Sequence, residues 1–200
     1  DVSTQAENFR KMLLTLSDDV RVILIKLADR LHNMQTLDSM PRQKQQKIGS
    51  ETLYIYAPLA HRLGLYSVKT ELEDLGLKFT EPEIYRDIVR QLNETKNARV
   101  QYIQRFTKPL KASLKDHHLL FSIKGRPKSI YSIRKKMKNQ GVSFDEVYDK
   151  FAIRITLDSD LKNEKSDCWK TYSLITDYYR PNPDRLRDWI STPKANGYES

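Results

Sequence analysis

Asp29, Asn33 and Thr36 stand at i, i+4 and i+7, so on an α-helix a carboxylate, an amide and a hydroxyl share one stripe. The helix that would carry them runs from about Asp18 to Asp38. Val20, Ile23, Leu24, Leu27, Leu31 and Met34 fall on one face, and Val22 and Ile25 precede Asp29 on the other. Apolar residues on both faces predict burial on both sides, with Asp29 in a cleft or in the core. A carboxylate there needs a cation, a metal or several donors, because desolvating it alone is costly. An ion pair with a structural arginine would satisfy it as well as a metal would. His32 lies off the stripe, His61 stands at a helix end, and His117 and His118 have no second ligand at metal-binding spacing.

A second group follows a glycine. Gly125-Arg126-Pro127-Lys128 ends an apolar run and opens a helix, whose free backbone N–H groups suit phosphate. Lys128, Ser132 and Lys136 lie at i, i+4 and i+8 and form a ladder of ammonium, hydroxyl and ammonium. Such a ladder could track an extended polyphosphate, while Ile130, Ile133 and Met137 form the opposite, buried stripe. The glycine spacing of a Walker A loop is absent, and an ordinary amphipathic helix with a wet basic face fits the same pattern. Asp149 precedes a strand at 150–156, either as a Mg²⁺ ligand beside the basic helix or simply as a strand-start residue. Arg154 offers a planar guanidinium that can stack on a base.

A third group closes the chain. Arg185 and Arg187 point the same way if extended, and Asn196-Gly197 marks a turn that would present Tyr198 beside Lys194. Tyr198 then either stacks on a purine or fills the core of a hairpin.

The elements that must position these groups change character along the chain. Up to about residue 118 the pattern is helical. It predicts helices at 4–16, capped helices to 38 and 61, two short helices at 66–75 and 81–92, and a longer one at 95–116. Ser17 or Asp18 would cap the second. Pro58 should kink or end the third, Gly76 with Pro82 should divide the short pair, and Pro109 should bend the last. After residue 118 comes β-α-β-α: a short strand to Ile123 stopped by Gly125, a helix from Ser129, a strand at Phe151–Thr156, and a helix at 165–179. A further strand is expected at Trp189-Ile190. The chain has 200 residues, 38% hydrophobic and 30% charged, enough to bury a core. It carries +9, spread as +5 over residues 1–115 and +4 over 116–200, which suits polyanionic partners. The stretch Lys124 to Lys138 has seven Lys or Arg and no acid. No apolar run is long enough to cross a bilayer. The single cysteine, Cys168, rules out an internal disulfide framework and fits the cytoplasm.

Taken together, the motifs resemble the RelA/SpoT family of bacterial alarmone enzymes. Lys26-Leu27-Ala28-Asp29-Arg30-Leu31-His32-Asn33-Met34 is similar to that family's second metal-site segment. Gly125-Arg126-Pro127-Lys128-Ser129-Ile130-Tyr131-Ser132-Ile133 resembles the start of its synthetase region, and Asp149 with Phe151-Ala152-Ile153-Arg154 resembles its Mg²⁺ strand. Pro193-Lys194-Ala195-Asn196-Gly197-Tyr198 resembles its acceptor-guanine loop, and Tyr56-Ala57-Pro58-Leu59-Ala60-His61-Arg62-Leu63-Gly64 fits the region between.

The resemblance implies an α plus α/β fold. An all-helical HD-type hydrolase end spans 1–94, a helical connector 95–116, and a nucleotidyltransferase-like, mixed-sheet synthetase start 117–200. It implies two opposed activities: Mn²⁺-dependent hydrolysis of (p)ppGpp, and Mg²⁺-dependent pyrophosphate transfer from ATP to the 3′-hydroxyl of GDP or GTP. By the same resemblance Asp29 binds Mn²⁺, and Asn33 and Thr36 touch the alarmone. Arg126 and Arg154 sandwich adenine, Lys128, Ser132 and Lys136 hold phosphates, and Asp149 binds Mg²⁺. Lys194 lies near phosphates and Tyr198 stacks on guanine. Arg185 and Arg187 join the substrate-binding set, since Arg185-Leu186-Arg187-Asp188 resembles the basic Arg-x-Lys-Asp variant that marks bifunctional members, with Arg187 in place of Lys.

The resemblance also places the remaining hydrolase ligands upstream of Asp1 and the synthetase glutamate downstream of Ser200, so the piece alone is expected to be inactive. Any ribosome-linked region would lie beyond this segment. Two other readings stay open: a hydrolase with a decayed synthetase, and a non-catalytic nucleic-acid-binding module whose affinity would fall steeply with salt.

Overall fold

A computed structural model of the chain describes residues 19–192. The expected helix at 4–16, the caps Ser17 and Asp18, and the 193–198 motif with Lys194 and Tyr198 lie outside the described residues. Within them the fold is mostly helical, with one small antiparallel sheet. The chain divides into two compact units, residues 1–93 with 128–150, and residues 94–127 with 151–200.

In the first unit, α1 (Val20–Gln35) starts at Asp19, whose carboxylate accepts the Arg21 N–H. A 3₁₀ turn at Leu37–Ser39 leads to α2 (Arg42–Glu51). A π-helical turn, Thr52–Tyr56, then runs into α3 (Ala57–Arg62). Pro58 therefore neither ends nor interrupts the helix. The widened turn before it, closed by Ala57 N donating to Thr52 O, absorbs the misfit that a proline ring creates with the preceding turn. The helix ends at Arg62-Leu63-Gly64, with Gly64 in the left-handed region. α4 (Tyr66–Thr80) runs straight through Gly76. A Cβ at Gly76 would stand 2.6 Å from Leu53 Cγ, so the glycine admits a neighbouring side chain rather than breaking the helix. α5 (Pro82–Glu94) begins on its proline. Ile23, Leu27, Met34, Leu59 and Leu72 are in one core.

The same unit takes back the segment 128–150. There α7 (Ile130–Gln140) is capped by Ser129 and ended by left-handed Gly141. Ile133 and Phe144 join Ile88 of α5 in a second core, with Ile84, Leu92, Ile130 and Met137 packed against it. Each fully buried side chain of this size contributes about 1.5–3 kcal/mol.

In the second unit, α6 (Lys96–Asp116) continues through Pro109 and buries Leu110 and Leu114. β1 (Phe121–Pro127) pairs antiparallel with β2 (Phe151–Leu157). β1 does not stop at Gly125. A Cβ there would meet Ile103 Cδ1 at 2.7 Å, so the missing side chain lets α6 press on the strand. α8 (Glu164–Thr176) follows, and Phe106 stacks on Tyr179 at 4.0 Å. Trp189-Ile190 forms a turn and not the expected strand. Asp188 Oδ1 accepts the N–H groups of Ile190 and Ser191 at 3.0 and 2.8 Å, and an Asx turn of this kind bends the backbone away from a ladder. That acceptance, Ser191 first, holds the Asp188 carboxyl below the usual carboxylate range.

Candidate functional site

α1 brings Asp29 and Asn33 together: Asn33 Nδ2 donates to Asp29 Oδ2 at 3.1 Å. Thr36 does not join them. It caps the end of α1, and its hydroxyl donates to the His32 carbonyl at 3.2 Å. The expected burial of Asp29 is not met, because Asp29 is exposed, as are Ile25 at 69% and Leu24 at 43%. Only the Ile23, Leu27 and Met34 stripe is buried, and the second apolar face has no cover among the described residues. Asp29 makes no ion pair among them either. The adjacent arginine, Arg30, instead bonds Glu51 at 3.2 Å and lies 4.0 Å over the Tyr56 ring. His32 is exposed and His61 sits edge-on to Tyr66.

The basic helix gives the denser arrangement. Lys128 and Lys136 converge on one oxygen, Asp149 Oδ2, with Lys136 Nζ at 3.0 Å. Lys128 lies two residues ahead of α7, so the helical ladder is broken at its first rung. The convergence comes from the carboxylate between the two ammonium groups. Burial alone would raise the Asp149 carboxyl, but Lys128 and Lys136 outweigh it and hold it below the usual range. Burial, with Lys136 adding repulsion, keeps Lys128 below the ordinary ammonium value. Ser132 Oγ accepts from Ser129 Oγ at 2.7 Å. Asp149 itself has φ of 70°, a left-handed backbone uncommon outside glycine.

The start of α7 differs from expectation in one chemical respect. Its first N–H groups are not open to an anion. Ser129 Oγ accepts the Ser132 N–H at 3.2 Å, and Asp74 Oδ1, from α4, accepts the Tyr131 N–H at 2.8 Å. The Ile130 N–H also favours the ionised form of Asp74. Asp74 carries no motif, and its partner stands 57 residues on. Only its place among apolar residues in a helix could have drawn attention to it.

On the strand pair, Lys124 stands opposite Arg154 and Arg126 opposite Ala152. Arg126 and Arg154 are therefore diagonal neighbours on one exposed face. The diagonal spans about 7–8 Å. A flat ring with van der Waals contact of about 3.5–4 Å on each side fills that gap. Arg185 ends a 3₁₀ turn and Arg187 Nη1 donates to the Leu186 carbonyl at 2.9 Å, so both are held on an exposed loop. His117 Nδ1 lies 2.8 Å from the Ser113 carbonyl at the end of α6. Among the described residues no group of three His, Cys, Asp or Glu is spaced to hold a metal.

Comparison with known proteins fits this geometry. The HD domain model matches residues 1–66, and the model of the region found in RelA/SpoT proteins matches residues 125–200. The chain is thus similar to an HD domain over its first third and to RelA/SpoT proteins over residues 125–200. Similar proteins include a GTP pyrophosphokinase of Myxococcus xanthus, 43% identical over 98% of this chain. A probable guanosine-3′,5′-bis(diphosphate) 3′-pyrophosphohydrolase of Synechocystis is 44% identical over 98%. The bifunctional (p)ppGpp synthase/hydrolase SpoT of Escherichia coli K12 is 41% identical over 98%. The chain spans about a quarter of the length of these relatives, 25%, 25% and 27% respectively. Its RelA/SpoT region thus contains the Lys128, Lys136 and Asp149 cluster and the Arg126 and Arg154 pair.

Proposed function

We propose that this chain is the junction of a bifunctional alarmone enzyme. It joins the end of a (p)ppGpp 3′-pyrophosphohydrolase, residues 1–94, through a connector, 95–116, to the start of a nucleotidyltransferase-like pyrophosphokinase, 117–200. The observation that carries the reading is the convergence of Lys128 and Lys136 on Asp149 inside the region matched to RelA/SpoT proteins.

A lone ionised carboxylate fits Mg²⁺, which usually binds one or two carboxylates together with substrate phosphates. When bound, Mg²⁺ offsets charge on the phosphates during transfer. The chain's own residues do the rest. Lys128 and Lys136, now spent on Asp149, take the ATP phosphates and leave the carboxylate to its cation, with Ser132 alongside. Arg126 and Arg154 flank adenine. Lys194 and Tyr198 receive the acceptor GDP or GTP, with Arg185 and Arg187 as further phosphate contacts. On α1, the other Asp29 oxygen accepts no hydrogen bond among the described residues and would serve Mn²⁺, which would supply Lewis-acid polarisation for hydrolysis, while Asn33 orients the carboxylate. Asn33 and Thr36 also meet the alarmone.

The test uses the full-length protein, its Asp29→Ala and Asp149→Ala variants, and two assays: ppGpp hydrolysis with Mn²⁺, and pyrophosphate transfer from ATP to GDP with Mg²⁺. Each variant is expected to lose one activity only, hydrolysis for D29A and transfer for D149A. Neither activity in folded wild-type protein would bring forward the nucleic-acid-binding reading.

A further inference from the structure

A helix start normally exposes unpaired N–H groups and a partial positive charge, a ready place for an anion. In α7 that place is taken by the protein itself. The Asp74 carboxylate reaches it from α4 and receives the Tyr131 N–H at 2.8 Å, and Ser129 takes that of Ser132 at 3.2 Å. One turn further on, Arg134 grips Glu81 through Nε at 2.9 Å and Nη2 at 2.6 Å, a fork on a single carboxylate oxygen. The apolar stripe between, Ile130, Ile133 and Met137, packs on Ile84, Ile88 and Leu92 of α5. The helix carrying Ser132 and Lys136 is thus bolted at two polar points and one apolar seam.

We infer that Asp74 and Glu81 are positioning residues for pyrophosphate transfer: they fix α7 so that its basic side chains, and not its N-terminus, receive the nucleotide's phosphates. This rests on the transfer activity proposed above. Neither residue touches Lys128, Lys136 or Asp149, so both act through the helix. Without Asp74 the start of α7 would be open to phosphate, and the triphosphate would have two competing seats. With it, the helix start is closed and the Lys128 and Lys136 pair on Asp149 is the seat left beside it. A one-ångström displacement of a substrate-holding group is enough to cost catalysis heavily.

The experiment is steady-state kinetics on the full-length protein, comparing wild type with Asp74→Ala, Asp74→Asn and Glu81→Ala. KM is measured separately for ATP and for GDP, with ppGpp hydrolysis as a second activity. A variant that merely unfolds in part lowers kcat and leaves both KM values alone. Positioning predicts a different pattern. D74A should raise KM for ATP about tenfold while KM for GDP holds, because α7 seats only the donor phosphates. D74N, which keeps an oxygen acceptor for the Tyr131 N–H, should recover most of that loss. Hydrolysis by D74A should stay within about twofold of wild type. Unchanged KM for ATP in D74A, or equal rises for ATP and GDP, would overturn the inference. If D74A does not fold, E81A decides: a rise in KM for ATP alone supports the inference, and a wild-type value overturns it. Wild-type protein that transfers no pyrophosphate would instead bring down the proposed function, and this inference with it.

Discussion

Asp149 combines two features that pull on different quantities. Its carboxylate is held ionised between two ammonium groups, and its backbone sits at φ of 70°. An L-residue in that region costs roughly 1–2 kcal/mol relative to glycine. Aspartate tolerates it better than most, which is one reason an acidic residue can stand there. Asp149→Gly and Asp149→Ala both remove the carboxylate, so both should abolish pyrophosphate transfer. D149G should nevertheless be more stable than D149A by about 1 kcal/mol, read from the difference in their urea midpoints. Equal midpoints would mean that the left-handed backbone carries no strain. Asp149 could be picked out of the sequence by its type, its place before a strand and the basic run upstream. Asp74 could not. A carboxylate that caps a helix 57 residues away leaves no local pattern, because the spacing between them is set by folding and not by either helix's period.

At the scale of elements, the helices and most strands were legible, and so were the breaks at Gly64 and Pro82, but the glycines inside elements were misleading. Gly76 and Gly125 read as interruptions, yet α4 and β1 pass through both. Each glycine serves the neighbour that leans on it, Leu53 or Ile103, and a close approach cannot be told from a break without knowing that neighbour. Gly76→Ala should therefore destabilise the protein by about 1–3 kcal/mol despite alanine's better helix propensity, as a fall in the urea midpoint. The apolar pattern of α1 misled in the other direction. It predicted two buried faces, but the pattern records only what a face could bury. The mount of α7 carries a pH signature as well. Burial raises the Asp74 carboxyl above the usual value and Glu73 adds to the rise. The Tyr131 and Ile130 N–H groups and Lys69 oppose it, and Tyr85 also faces it. The folded state then holds the Asp74 proton more tightly than the unfolded state. This contribution to stability is complete below the ordinary aspartate value of about 3.9 and is lost as pH rises through the raised one. Asp74→Asn should flatten that part of the stability–pH curve, measured by denaturant midpoints from pH 4 upward, while leaving the rest of the curve in place.

For the whole molecule, the order of residues and the grouping of residues differ. The chain passes between its two compact units three times, after Asn93, after Pro127 and after Lys150. The sequence pattern suggests one change of character near residue 116, because periodicity reports what each stretch is and not where it packs. A piece beginning at residue 117 would keep α7 but lose Asp74, Glu81 and Ile88. Ile133 and Phe144, buried in the chain, would then be uncovered. Such a piece should bind a hydrophobic dye far more strongly than the longer chain, with a fluorescence rise as the readout.

The support that α7 draws from α4 and from the turn before α5 also bears on inheritance. Alleles at positions 74 and 81 lie, by position, in the stretch proposed above to be the hydrolase end. If those residues seat the helix that handles ATP, such alleles would starve the cell of the signal instead of flooding it. They would complement as lesions of the opposite activity, and a map drawn from the gene alone would file them under the wrong phenotype.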